Sequence, residues 1–152
     1  MKADPNRPVK RSFSFSGSDK KILHDIVQGL RRAGVPSVRN GTVLRAFAYL
    51  NSATEMFSAA VLLDRDLKVG AGSGDRYDPP PLTADLAQAD VDKLADVGVE
   101  LHAKNIASTH SFIMRALLRS APDMKILVTQ MRRFQQEVPR RPRASKKSHA
   151  RS

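Results

Sequence analysis

The sequence predicts a mainly α-helical protein with two short β-strands, built from one strand–helix–helix–helix unit that occurs twice. Three observations carry this expectation. The first is repetition: Val43-Leu44-Arg45-Ala46-Phe47 has a counterpart 70 residues later in Ile113-Met114-Arg115-Ala116-Leu117. Gly34-Val35-Pro36-Ser37 precedes the first copy, and Asn105-Ile106-Ala107-Ser108 precedes the second. Upstream, Leu23, Ile26 and Leu30 match Leu94, Val97 and Leu101 at a spacing of 71, which makes the repeat the unit to be explained. Chance similarity between amphipathic helices is the alternative. The second observation is two stretches that alternate with period two. The third is that the remaining apolar residues recur at helical spacing between start and stop signals.

The elements follow in order. Lys10 to Ser16 alternates as a strand, with Val9, Phe13 and Phe15 on one side and Lys10, Ser12, Ser14 and Ser16 on the other. Ser16 or Ser18 can cap the next helix, and Ser16 with Asp19 forms a capping box. Ile22, Leu23, Ile26, Val27 and Leu30 line that helix through Arg32, and Gly34 ends it in the left-handed region. A second helix starts between Ser37 and Asn40 and buries Val43, Leu44, Phe47 and Leu50. A third, from about Ala53 to Asp66 behind the Ser52 to Glu55 start signal, presents Met56, Phe57, Ala60, Val61 and Leu63. In the second copy, Leu82 to Ala87 alternates, with Leu82, Ala84 and Leu86 inward and Thr83, Asp85 and Ala87 outward. Helices follow over Asp90 to Lys104, about Thr109 to Arg119, and Asp123 to Glu137, the last stacking Ile126, Leu127, Met131 and Phe134.

This gives a flexible basic arm at 1–9, a first repeat with its third helix at 10–68, and a Gly/Pro linker at 69–81. A second repeat with its third helix occupies 82–137, and a disordered basic tail occupies 138–152. The tail, with Arg140, Arg141, Arg143, Lys146, Lys147 and Arg151, has too few apolar residues to offset chain entropy. Lys and Arg outnumber Asp and Glu 26 to 15, for a net charge of +11, which suggests a polyanionic partner. The segment 70–104 is by contrast acidic, and so is the second copy's first helix, Asp90 to Lys104, within it. No signal peptide is expected after Met1-Lys2, and runs such as Ala59 to Leu63 are too short to cross a bilayer. With no cysteine there are no disulfides or thiolate metal sites, which fits a cytosolic protein.

The strand, the helix, the Gly34-Val35 turn and the Val43-Leu44-Arg45-Ala46 helix together resemble the ribbon-helix-helix family of DNA-binding proteins over about residues 10–50. The resemblance implies that two strands pair antiparallel and that the ribbon enters the DNA major groove. Members dimerise because one strand has no partner; a tandem duplication would provide that partner within one chain and make it monomeric. Arg11 to Val27 and Ser37 to Arg45 are similar to a more specific family, typified by the second product of the Agrobacterium virC operon. That family consists of single-chain double ribbon-helix-helix proteins that promote processing of transferred DNA at border sequences. It implies a bacterial cytoplasmic protein of virulence or conjugative plasmid transfer, acting with a relaxase and a partner ATPase and lacking nuclease activity of its own.

On this reading Lys10, Ser12, Ser14 and Thr83 read or approach base edges, since short hydroxyls let a ribbon sit deep. Asp85 faces phosphate unfavourably unless it accepts a bond from cytosine N4. Arg11 flanks the ribbon as a phosphate contact, and the second helix anchors a phosphate near Arg39, Asn40 and Thr42. Ser108, Thr109 and His110 take the same position in the second copy. Arg140, Arg141, Arg143, Lys146 and Lys147 add sequence-independent affinity for double-stranded DNA. No membrane or small-molecule partner and no cofactor is expected.

Other features are read blandly. Gly70-Ala-Gly72-Ser-Gly74 lacks a following Lys-Ser/Thr and precedes Pro79-Pro80-Pro81, so it is linker, not phosphate loop. His24, His102, His110 and His149 lack metal-ligand spacing and are expected at the solvated surface. Asp92, Asp96 and Glu100 read as one solvated helix face. Phe13 and Phe15 are expected in the core, although aromatics on such a strand can stack unpaired bases. No nucleophile has an evident base, so no catalytic or metal residue is assigned. The competing readings are an autonomous transcriptional repressor and a protein-docking module with incidental DNA contact.

Overall fold

The computed structural model describes residues 4–69 and 76–138. The elements are β1 (Pro8–Phe13), α1 (Gly17–Arg32), α2 (Asn40–Leu50), α3 (Ala53–Lys68), β2 (Leu82–Ala87), α4 (Gln88–Ala103), α5 (His110–Arg119) and α6 (Met124–Glu137). The protein is mainly helical with one two-stranded antiparallel sheet, β1–β2, and the order strand–helix–helix–helix occurs twice. Residues 139–152 of the tail expected at 138–152, and the glycines of the expected linker, lie outside the described residues, whereas Val138 is described and ends α6.

The strand register pairs Pro8 with Ala87, Val9 with Leu86, Lys10 with Asp85, Arg11 with Ala84, Ser12 with Thr83 and Phe13 with Leu82. One face of the ribbon therefore carries Val9, Phe13, Ala84 and Leu86, which join the core or pack against it. Phe13 and Phe15 are fully buried, stacked with ring centroids 6.0 Å apart. Each buried ring contributes about 2–3 kcal/mol, enough to fix the ribbon on the helices.

The first strand starts two residues earlier, and ends three earlier, than its alternation predicts, so Pro8 and Val9 of the expected arm belong to it. Alternation places Ser16 outward, but it is buried because it caps α1: its Oγ accepts the Asp19 N–H at 3.1 Å, and Asp19 Oδ2 accepts the Ser16 N–H at 2.9 Å. Ser14 leaves the ladder because its N–H is donated to Ser111 Oγ at 2.8 Å. α2 begins at Asn40, since Ser37 adopts a left-handed φ of 59°. α3 runs half a turn further than expected, through Lys68, behind a capping box of Ser52 and Glu55. Ile126 is 47% exposed rather than stacked inside, while Leu127, Met131 and Phe134 are buried.

One core holds both halves together. The third helix of each half packs on the other half: α3 lies on α4 and α5, and α6 lies on α1 and α2. Corresponding turns are built alike. After α1, Gly34 at φ 87° lets the Val35 N–H reach Leu30 O at 3.0 Å. After α4, Asn105 at φ 60° lets the Ile106 N–H reach Leu101 O at 3.0 Å. Both are left-handed helix stops that satisfy a terminal carbonyl.

A buried charge also crosses between the halves. Asp19 on α1 is fully buried, and it accepts Arg115 Nε at 2.6 Å and Arg119 Nε at 2.8 Å, both from α5. The carboxylate is thus saturated by a cap and two guanidinium groups, which is what a buried charge requires. Asp90 holds the corresponding place on α4, with Lys93 Nζ at 3.5 Å. Lys93 also donates to Asn51 O at 2.8 Å and Tyr49 O at 3.3 Å, closing the C-terminus of α2.

Candidate nucleic-acid interface

The ribbon's other face is the candidate site. Strand alternation puts Pro8, Lys10 and Ser12 beside Ala87, Asp85 and Thr83, and all but the part-buried Ala87 are exposed. The structure thus brings together Lys10, Ser12 and Thr83, three of the four residues expected to reach bases. Ser14 is exposed just past the end of β1, where its backbone is tied to α5. Arg11 is on the helix side of the strand, half-buried, with its Nε buried and lacking a hydrogen-bond partner. Alternation alone predicts that inward placement, because Arg11 shares the parity of Val9 and Phe13.

A cleft of about 440 Å³ lies between the ribbon and the start of α2. Lys10, Thr83 and Asp85 line it from the ribbon, and Arg39, Thr42 and Arg45 line it from α2. The first turn of α2 is open to it. Its N-cap residue Arg39 supplies no side-chain bond, and the first main-chain bond of the helix comes from the Val43 N–H to Arg39 O at 3.1 Å. α4 also lacks a side-chain cap, but there the Gln88 and Ala89 N–H groups donate to Arg7 O and Pro5 O, each at 2.9 Å. The open turn of α2 therefore keeps backbone donors and a positive dipole end facing the cleft. The first turn of α2 packs against β2 here: a Cβ at Gly41 would lie at ordinary van der Waals distance, 3.6 Å, from Thr83 O.

A second groove of about 370 Å³ lies on the other side of the same turn, between Pro36, Ser37 and the α6 residues Phe134 and Gln135. Arg45 spans both, its guanidinium carbon 5.6 Å from the Phe134 ring centroid.

The corresponding turn of α5 is furnished differently. Thr109 Oγ1 accepts the Phe112 N–H at 3.1 Å, so this helix is capped from within. Ser108 is half-buried against Gly98. His110, expected at the solvated surface, is half-buried; burial first, and the nearby Arg11 charge second, lower its pKa from the usual 6.5. It is therefore a neutral donor near pH 7, and it offers a phosphate a hydrogen bond rather than a charge. Arg140, Arg141, Arg143, Lys146 and Lys147 lie outside the described residues.

Three features of the site are not evident from local sequence pattern. Asp85 stands directly opposite Lys10, which only the strand register reveals. Arg45 walls the cleft, and Arg115, its counterpart in the second half, holds the buried Asp19. The two arginines do leave a signal: an arginine in the middle of a buried apolar stretch needs a partner. Among the described residues, no group of three His, Asp or Glu side chains is placed to hold a metal ion, and no helix is long and apolar enough to cross a membrane. Comparison with models of known protein families, with curated proteins and with solved structures gives no match.

Proposed function

We propose that this chain is a sequence-reading, double-stranded DNA-binding protein, a tandem-duplicated ribbon-helix-helix in one chain, that assists a relaxase in processing transferred DNA. The observation that carries the reading is the β1–β2 ribbon: apolar and anchored inside, polar and exposed outside, and six residues long on each strand. A two-stranded ribbon of this kind fits the major groove. The open first turn of α2, beside Arg39 and Thr42, suits a backbone phosphate next to that groove. The net charge of +11 supplies the long-range attraction.

Binding of duplex DNA followed by fluorescence anisotropy across a salt series tests this. Affinity should fall steeply with salt, and the ribbon changes Lys10→Ala, Ser12→Ala and Thr83→Ala should weaken sequence preference more than total affinity. Ribbon variants that bind and discriminate like the parent would overturn it.

A second reading has its own support. Asp92, Asp96 and Glu100 are exposed along α4, a face that DNA repels and a basic protein surface would accept. On the accessory reading this face contacts the relaxase or its partner ATPase; on the repressor reading it only keeps the protein soluble. Reversing the three acids to lysine separates them. Loss of strand nicking with duplex affinity kept supports the accessory role, whereas an effect confined to transcription of an adjacent promoter supports repression.

A further inference from the structure

The ribbon has an approximate two-fold centre at the Ser12–Thr83 pair, because these residues face each other and are 71 apart, the same offset as Leu23 and Leu94. Two hydroxyls at the centre are nearly alike. The neighbouring positions are not. On one side stand Lys10 and Asp85, directly opposite each other and exposed. On the other side the next positions are Ser14 and Pro81, also exposed, where β1 has ended and β2 has yet to begin. Neither Lys10 nor Asp85 has an ion-pair partner among the described residues, so both heads remain available to the solvent face.

We propose that the Lys10–Asp85 cross-strand pair recognises one G·C base pair on one side of the ribbon's centre, so that the protein binds DNA in a single direction. This rests on the reading that the ribbon enters the major groove. Guanine offers two acceptors there, O6 and N7, and its partner cytosine offers a donor, N4. Lysine donates only, and a carboxylate accepts only. With the two charges on different strands, Lys10 meets guanine and Asp85 meets cytosine in one orientation of the base pair. Inverting the pair sets the ammonium against a donor and the carboxylate against two acceptors, and both contacts become repulsive. Asp85 also repels phosphate, so it penalises every site that does not give it a donor. The spacing follows from the strand: two residues rise about 6.8 Å, or about two base steps, placing the recognised pair about that far from the centre. Ser14 and Pro81 supply no matching charges, so the opposite half-site is read weakly.

The test is selection from a randomised duplex pool at fixed salt, followed by anisotropy on the selected duplex. The wild type should select a non-palindromic site with a G·C pair off centre, and inverting that pair should lower affinity about ten-fold. Asp85→Ala should weaken the preference there, leaving only the Lys10–guanine contribution, while binding unselected duplex more tightly, and Asp85→Asn should admit adenine in place of cytosine. A palindromic selected site, or a preference untouched by both Asp85 variants, overturns this inference and leaves the ribbon reading standing. If Lys10→Ala, Ser12→Ala and Thr83→Ala together change neither affinity nor selection, the ribbon reading itself falls.

Discussion

At the scale of single residues, the two aspartates at corresponding places should behave in opposite ways. Asp19 is fully buried and carries the α1 cap and both α5 guanidinium groups. Asp19→Asn removes the charge those groups surround, and should cost about 3 kcal/mol in denaturant unfolding. Asp90 pairs with Lys93, and burial raises its pKa above 3.8 against the lowering effect of that lysine. Its charged form is thus disfavoured in the fold, and Asp90→Asn should change stability by less than about 1 kcal/mol. His110 gives the pH dependence. Its folded pKa lies below 6.5, so the unfolded chain binds the proton first as pH falls. Stability from this residue is complete above about pH 6.5 and is lost as pH drops through the lowered folded value. His110→Gln should therefore reduce the fall in melting temperature between about pH 7 and about pH 5.

At the scale of elements, the helix stops and close approaches decide what can change. Gly34 and Asn105 both stand in the left-handed region, at φ 87° and 60°. Glycine adopts it without strain, so Asn105→Gly should be neutral or stabilise by up to about 1 kcal/mol, whereas Gly34→Ala should cost about 1 kcal/mol. Gly98 is a harder constraint: a Cβ there would lie 2.9 Å from the Ser108 carbonyl oxygen. Gly98→Ala should cost about 1–3 kcal/mol because backbone must move. At Gly29 the obstacle is only the flexible end of Met124, so Gly29→Ala should be tolerated. Thermal unfolding of the four variants checks the ranking. These elements are largely legible in the sequence. Leu82–Ala87 runs as its alternation predicts, and Ser16 and Ser52 cap the helices they precede. Alternation misplaces the first strand because Ser14 and Ser16 look like strand residues locally. A side chain 97 positions away along the chain takes the N–H of Ser14, and helix capping takes Ser16. The cross-strand partner of Lys10 and the arginines around Asp19 depend on long-range register, which local periodicity does not encode.

At the scale of the whole molecule, β1 finds its partner strand within the same chain, and both third helices close over the opposite half. Sedimentation at micromolar concentration should accordingly give a monomer. A tight dimer would mean that strands pair between chains. Removing residues 138–152, with their six Lys and Arg and no acid, should weaken binding to all duplexes alike. The salt dependence should flatten by about one unit of slope for each phosphate the shortened chain no longer neutralises, leaving sequence preference in place.

The ribbon also sets a timetable for synthesis. Pro8 must wait for Ala87, and Phe13 for Leu82, before either can pair. A ribosome adding about 5–20 residues per second leaves the first strand unpaired for several seconds after it emerges. Through that interval Phe13, Phe15 and the inner face of α3 have no second half to cover them, so the nascent chain carries an open strand edge and an apolar surface. Neighbouring chains on one polysome are then competitors for the missing half, and exchange of halves between them is the misassembly this architecture risks most. The faster the second half follows the first out of the ribosome, the smaller that risk, so slow codons between the halves would raise the yield of swapped dimers over monomers.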